Sequence, residues 1–308
     1  MTMHVSTSHL PVSGGRLYYE VRGHGPLLLV VGQPMTSEPF GPTADMLADS
    51  YTVVTYDPRG LGRSAVDDPT LDVTPDVEGA DLAAIIDAIG KGPADVFGTS
   101  GGAVAGLALV ANHPGRVRTL IAHEPPLTEY LPDAAAIRAA IDDTENAYRG
   151  AGSGAAWGKF ISLVMHSGPV PDTGVPPVPW PPRGDRDAAP EPADGNADGD
   201  DHHQPSERQR ANDDLFFLHM LKPFTRYRPP LDTLRSTTAR VVLAVGESSG
   251  EEIAGRSTRA LADRLGSAPV TFPGDHGGFM ADPVAFAAAI QRTLTPSRTG
   301  SAGTAGLN

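Results

Sequence analysis

The residues best suited to covalent chemistry are Gly98-Thr99-Ser100-Gly101-Gly102, a serine set among glycines. A serine hydroxyl is a weak nucleophile at its free pKa. It acts only where a base takes its proton and fixed donors receive the charge it creates. The apolar run Ala94 to Phe97 reads as a buried strand, and Gly101 to Asn112 reads as a helix. A serine on so tight a strand-to-helix turn is forced into strained backbone geometry, with glycine neighbours because a side chain would meet the adjacent strand or helix. The hydroxyl then stands above the sheet edge, and the helix beginning at Gly101 offers N–H groups and its positive dipole end to an oxyanion. The alternative is a turn shaped only for close packing; the strand before it and the helix after it favour the chemical reading.

Of the ten histidines, His276 is the one placed to serve as base. It lies in Pro273-Gly274-Asp275-His276-Gly277-Gly278, just past the strand Pro269 to Phe272, where flanking glycines let a loop carry the imidazole over the sheet. His123 and His219 are placed to line a pocket, whereas His166, His202 and His203 have no comparable context. A third group must hold the imidazole in one tautomer. Two carboxylates compete for that role. Glu124 ends the strand Val117 to Ala122, where Pro125 stops the ladder and leaves the carboxylate at the sheet's carboxyl edge beside Ser100. Glu247 follows the strand Arg240 to Val245. Glu124 is preferred on its strand-end position, with Glu247 as the alternative. Ser249 and Glu252 read as a capping box for the next helix, so Glu251 and Glu252 need no catalytic role.

With these residues in their chain order of Ser, Glu and His, the sequence resembles the α/β-hydrolase family over most of its length. Tyr56-Asp57-Pro58-Arg59-Gly60-Leu61-Gly62-Arg63-Ser64 is similar to the loop after that family's fourth strand, where Asp57 and Arg59 would be structural. Gly32-Gln33-Pro34 stands where the family places its second oxyanion donor, so the resemblance pairs the Gln33 N–H with that of Gly101. Val31 replaces the histidine common before that glycine. The aspartate usual after the seventh strand is absent, and Glu124 resembles the acid after the sixth strand in haloalkane dehalogenases. Attack through a carboxylate, as in those enzymes and in epoxide hydrolases, is not available with Ser100 at the elbow. The resemblance implies a mostly parallel eight-stranded sheet with helices on both faces and a helical cap inserted after the sixth strand. It also implies no cofactor and a small-molecule ester or lactone substrate.

The elements that must position these groups alternate along the chain as a parallel α/β sheet requires. Gly15 to Arg22 reads as an early hairpin strand. Leu27 to Val31 and Tyr51 to Tyr56 are continuous apolar runs of the kind buried parallel strands show. Asp81 to Ile89 has helical spacing, and Glu251 to Leu265 and Pro283 to Leu294 follow in the second half. The alternation divides the chain into a first core part (1–125), a cap (126–231), a second core part (232–297) and a flexible tail (298–308). Within the cap, about 168–212 is rich in Pro, Gly and Asp and reads as a mobile loop. Trp157, Phe160, Leu163 and Val164, then Phe216, Phe217, Met220 and Leu221, form apolar helical faces. From these and the loop after His276, the expected substrate-binding residues are Trp157, Phe217, His219 and Phe279.

Composition removes several other classes. A net charge of −13 over 308 residues disfavours a protein that binds by neutralising phosphates, so nucleic acid is not an expected partner. The apolar runs fall short of a membrane span and MTMHVSTSHL lacks the features of a secretory leader, so a soluble cytoplasmic protein is the expectation. The chain has no cysteine, hence no thiol nucleophile and no thiolate metal site. Asp194 to Gly199 matches the first half of a calcium loop, but Pro205 stands where the bidentate glutamate belongs, so no metal is expected there or at His202 and His203. The reading that follows is a serine hydrolase acting on an ester or lactone. Its rivals are a cofactor-independent oxygenase, lyase or perhydrolase on the same fold, or a non-catalytic ligand-binding protein.

Overall fold

The computed structural model describes residues 4–179 and 206–295. Two antiparallel strands, β1 (Val5–Val12) and β2 (Gly15–Arg22), open the chain as a hairpin with Val12 opposite Gly15. β1 carries no apolar period because most of its residues are exposed, which is why the sequence marked only its partner. β3 (Leu27–Gln33) and β4 (Thr52–Tyr56) are buried along their whole length. β5 (Ala65–Val66) is a two-residue strand on β2, and β6 (Ala94–Ser100), β7 (Val117–His123), β8 (Arg240–Gly246) and β9 (Val270–Phe272) complete the sheet. The order is β1-β2-β4-β3-β6-β7-β8-β9. All pairings from β4 to β9 are parallel, while β2 runs antiparallel to its neighbours. The main path thus has the eight strands expected, and the extra β5 makes the family's sixth and seventh strands β7 and β8 here.

Helices cover both faces because β3 feeds both. Leu27, Leu29 and Val31 join one apolar cluster, and Leu28 and Val30 join the other. In chain order the helices are α1 (Gly41–Leu47), α2 (Pro75–Ile89), α3 (Gly101–Asn112), α4 (Ala134–Ala151), α5 (Ser153–Val164) and α6 (Glu207–Asp214). After a π-helical stretch, Leu215–Met220, come α7 (Leu221–Thr225), α8 (Leu231–Ser236), α9 (Ile253–Leu265), α10 (Gly278–Ala281) and α11 (Pro283–Leu294). α2 begins earlier than its apolar spacing suggested: the Thr74 side chain accepts from the Val77 N–H, and Pro75 has no N–H to satisfy.

Two sequence boundaries are corrected. The loop expected over 168–212 is tied down at its start, where the Gly168 N–H donates to Glu251 O at 2.9 Å and the Val170 N–H to Asp133 Oδ2 at 2.7 Å. It is helical at its end, where the Ser206 hydroxyl accepts from Gln209 and opens α6. Asp194–Gly199, His202, His203 and the tail 298–308 lie outside the described residues. The expected capping box at Ser249 and Glu252 does not form. Gly250, with φ of 53°, bends the chain away, and α9 starts at Ile253 with Glu252 in place of Ser249 at its N-cap. Asp57 and Arg59 are tied up in structure: Arg63 Nε donates to Asp57 Oδ2 at 2.7 Å and Arg59 Nε to Asp81 Oδ2 at 2.8 Å. No helix among the described residues is long and apolar enough to cross a membrane.

Candidate active site

The β6–α3 turn is built by close backbone approach. A Cβ on Gly98 would lie 2.5 Å from Gly102 O, and one on Gly102 would lie 2.5 Å from Val31 O and 2.6 Å from Gly32 Cα. Both obstacles are backbone, so neither can swing aside. Gly102→Ala is therefore expected to lower stability by about 1–3 kcal/mol, read as an earlier urea midpoint with unchanged slope. Between these glycines Ser100 sits at φ 54°, ψ −127° and lines a cavity. Among the described residues, the only other non-glycine with positive φ is Glu124, at 51°. Such conformations cost about 1–3 kcal/mol each, and they persist where surrounding structure imposes them.

The parallel register of β3 on β6 sets Gln33 beside Ser100, and Gly101 follows at the start of α3. Both residues line the same cavity as Ser100. His276 also lines that cavity, from the loop between β9 and α10, and its Nδ1 is 2.7 Å from Glu124 Oε2. Glu124 leaves the end of β7 with its side chain fully buried, and its Oε1 accepts from the Gly246 N–H at 2.9 Å. Burial alone would raise this carboxyl. The hydrogen bond from His276 and the imidazoles beside it outweigh burial and bring it down to about 2. An ionised carboxylate only accepts, so His276 donates from Nδ1 and keeps Nε2 free on its other side. Glu247, the alternative acid, is exposed, and its Oε1 accepts from the Gly274 N–H at 3.3 Å. Its carboxylate makes no hydrogen bond to His276.

The cavity measures about 690 Å³ including its open mouth, and its wall is largely apolar. Ile137 and Ile141 come from α4, Phe160 and Leu163 from α5, and Phe216 and Met220 from the π-helical stretch. The expected substrate-binding residues are corrected as follows. Trp157 stacks on Phe216 at 5.4 Å and donates from Nε1 to Asp213, so it backs the wall without lining it. Phe217 is fully buried against Tyr148 at 5.1 Å. His219 faces Asp72, 3.1 Å away, and Phe279 stacks on Phe40 at 4.8 Å within the second apolar cluster. On a helix, adjacent residues point roughly 100° apart, which is why Phe216 lines the cavity and Phe217 does not. Ile137 and Ile141 were missed, although their i, i+4 spacing is visible in the sequence. His123 is buried beneath the site: its Nδ1 lies 2.9 Å from Thr99 Oγ1, its ring 6.3 Å from that of His276, and burial lowers it to about 4. Among the described residues, no group of three or more His, Asp or Glu side chains converges as metal ligands do.

An ordered parallel sheet with a strained serine between β6 and α3, and an acid–imidazole pair at its carboxyl edge, defines a protein class that sequence comparison also reaches. The profile of the alpha/beta hydrolase fold family matches residues 25–190, more than half of the chain, and the chain belongs to that family. It is 39% identical over 130 residues to an uncharacterized hydrolase, YraK, of Bacillus subtilis, a match spanning 42% of this chain and 48% of the relative. Among solved structures it is similar to a thermophilic esterase from Thermogutta terrifontis, with a TM-score of 0.66 at 17% identity, covering 94% of this chain and 98% of that one. It is also similar to Est816, described as an N-acyl homoserine lactone degrading enzyme, with a TM-score of 0.61 at 18% identity, covering 94% and 100%. At these identities the structural likenesses establish the fold.

Proposed function

We propose that this chain hydrolyses a carboxylic ester or lactone of a small, largely apolar substrate through an acyl-enzyme on Ser100. The observation that carries the reading is the buried Glu124 carboxylate 2.7 Å from His276 Nδ1, with His276 and Ser100 lining one cavity. His276 Nε2 takes the Ser100 proton as Oγ bonds to the carbonyl carbon, and the carbonyl electrons move to oxygen. The N–H groups of Gln33 and Gly101 receive that oxyanion. Collapse breaks the bond to the leaving alkoxide, which takes the proton from His276. Water, deprotonated by His276, then attacks the acyl carbon, and a second collapse releases the acid and restores the Ser100 hydroxyl. Glu124 holds the imidazole tautomer and offsets its charge at each step. The esterase and lactone-degrading activities named for two structural neighbours agree with this chemistry.

The apolar wall is the basis for expecting a preference for longer acyl groups. At about 0.8 kcal/mol per buried methylene, kcat/KM for p-nitrophenyl butyrate should exceed that for the acetate by roughly tenfold. The reading is tested by that ester pair together with mass-spectrometric detection of a fluorophosphonate adduct on Ser100. If folded protein neither hydrolyses the esters nor takes the label, a ligand-binding role replaces it.

A further inference from the structure

Glu78, on α2, is a fully buried acid that the proposed mechanism leaves unused. Its Oε2 accepts from the Tyr56 hydroxyl at 2.6 Å and from Gln33 Nε2 at 2.7 Å, and its Oε1 accepts from the Arg59 N–H at 3.0 Å. Gln33 Nε2 also donates to Tyr56 at 3.0 Å, which closes a triangle of three side chains. On the other side of the carboxamide, Gln33 Oε1 is buried with no hydrogen-bond partner. A Cβ on Gly101 would lie 3.3 Å from that oxygen and 2.9 Å from Gln33 Cβ. The Gln33 side chain therefore lies between a buried carboxylate and Gly101, and Gln33 and Gly101 carry the two N–H groups assigned above to the oxyanion.

The chemistry of the triangle gives it two arrangements. An ionised carboxylate only accepts, so Gln33 must turn Nε2 toward Glu78 and leave Oε1 unpaired beside Gly101. A protonated Glu78 is a donor, and the unpaired Oε1 is then its natural acceptor. Satisfying it requires the carboxamide to turn over, which puts the Nε2 donor in place of the Oε1 acceptor beside Gly101. We propose that Glu78 is a positioning residue for the oxyanion site, its ionised carboxylate locking the Gln33 carboxamide and, with it, the Gln33 N–H, while protonation releases the lock. This rests on the serine-hydrolase reading above. The groups facing Glu78 are Gln33 from β3, Tyr56 from β4, Arg59 from the following loop and Asp81 from its own helix. The Arg59 guanidinium is paired with Asp81, so it reaches Glu78 mainly as a nearby charge. Burial and the Asp81 charge raise the Glu78 carboxyl to about 7 against the pull of Tyr56 and Arg59, which places the release near neutrality.

The test is the pH dependence of kcat and KM for p-nitrophenyl butyrate in wild type, Glu78→Gln and Glu78→Leu, with fluorophosphonate labelling of Ser100 alongside. In wild type the acid limb of log kcat should approach a slope of about two, because Glu78 and His276 must both lose a proton. Glu78→Gln is neutral and, like the protonated acid, offers a donor to Gln33 Oε1, so it should hold the released arrangement at every pH and its limb should fall to a slope of about one. Glu78→Leu should lose about 100-fold in kcat with KM little changed, as expected when a group acting on the transition state is misplaced. Glu78→Gln should fall below wild type in kcat above neutrality and approach it as pH falls, because wild type then carries the same neutral group. An acid limb identical in wild type and Glu78→Gln overturns the proposal, whether or not Glu78→Leu folds. So does a Glu78→Leu loss that only tracks its folded fraction by circular dichroism. Wild type that fails to label at Ser100 removes the underlying serine reading instead, whereas labelled Ser100 with an unchanged Glu78→Gln profile removes the role of Glu78 alone.

Discussion

Ser100→Ala is expected to lower turnover of p-nitrophenyl butyrate by about 10⁶-fold and to abolish the fluorophosphonate adduct. The magnitude follows from the loss of covalent catalysis: without Oγ no acyl-enzyme forms, and His276 can only activate water against an ester held by the remaining donors. The fold should tolerate the change. Ser100 contributes no side-chain cap to α3, and alanine occupies the same positive φ at comparable cost. A thermal midpoint within a few degrees of wild type is therefore part of the expected result. If Ser100→Ala retained activity within about tenfold, the serine would not be the nucleophile, since no other interaction in the scheme supplies that factor.

Glu124→Gln should cost about 10³- to 10⁴-fold in kcat, whereas Glu247→Gln should stay within a few-fold. The glutamine amide can donate to His276 Nδ1, which stabilises the tautomer carrying its proton on Nε2, the wrong one for deprotonating Ser100. It also removes the negative charge that offsets the imidazolium. Glu247, by contrast, is exposed and hydrogen-bonded to Gly274. Parallel turnover measurements on the two variants decide between the acids, and the opposite ranking would reassign the role to Glu247. The same carboxyl carries a stability signature. Its pKa in the folded protein lies below the ordinary value, so the stabilisation it contributes is present above the ordinary carboxylate range and is lost as pH falls toward about 2. Glu124→Gln should remove that component of the acid-unfolding profile.

Much of the architecture is legible because burial leaves a local trace. β3 and β4 are covered on both faces and so read as unbroken apolar runs, and α3 and α11 have the bounds their patterns indicated. β1 left no such trace, since it is held by backbone pairing to β2 while its side chains face solvent. α6 was hidden by polar composition, its mean character giving no apolar stripe, and only the Ser206 cap marks its start. The pocket was the least legible part. Trp157, Phe217 and Phe279 are apolar residues close in sequence to lining positions, yet none lines the cavity: Phe217 and Phe279 are buried in the core, and half-buried Trp157 packs behind Phe216.

The sequence by itself determined the alternation of buried strands and helices in the core, the strand-to-helix turn that strains Ser100 and the glycine-flanked loop that carries His276, all of which depend on residues adjacent along the chain. It narrowed the acid to two glutamates at strand ends and favoured Glu124 on position alone. Only the tertiary structure decided that the Glu124 carboxylate, 152 positions from His276, reaches its Nδ1 while Glu247 turns to Gly274. The same holds for the link from Glu78 through Gln33 to the turn at Gly101. Periodicity records whether a side chain is buried; strand register and loop path decide what it is buried against.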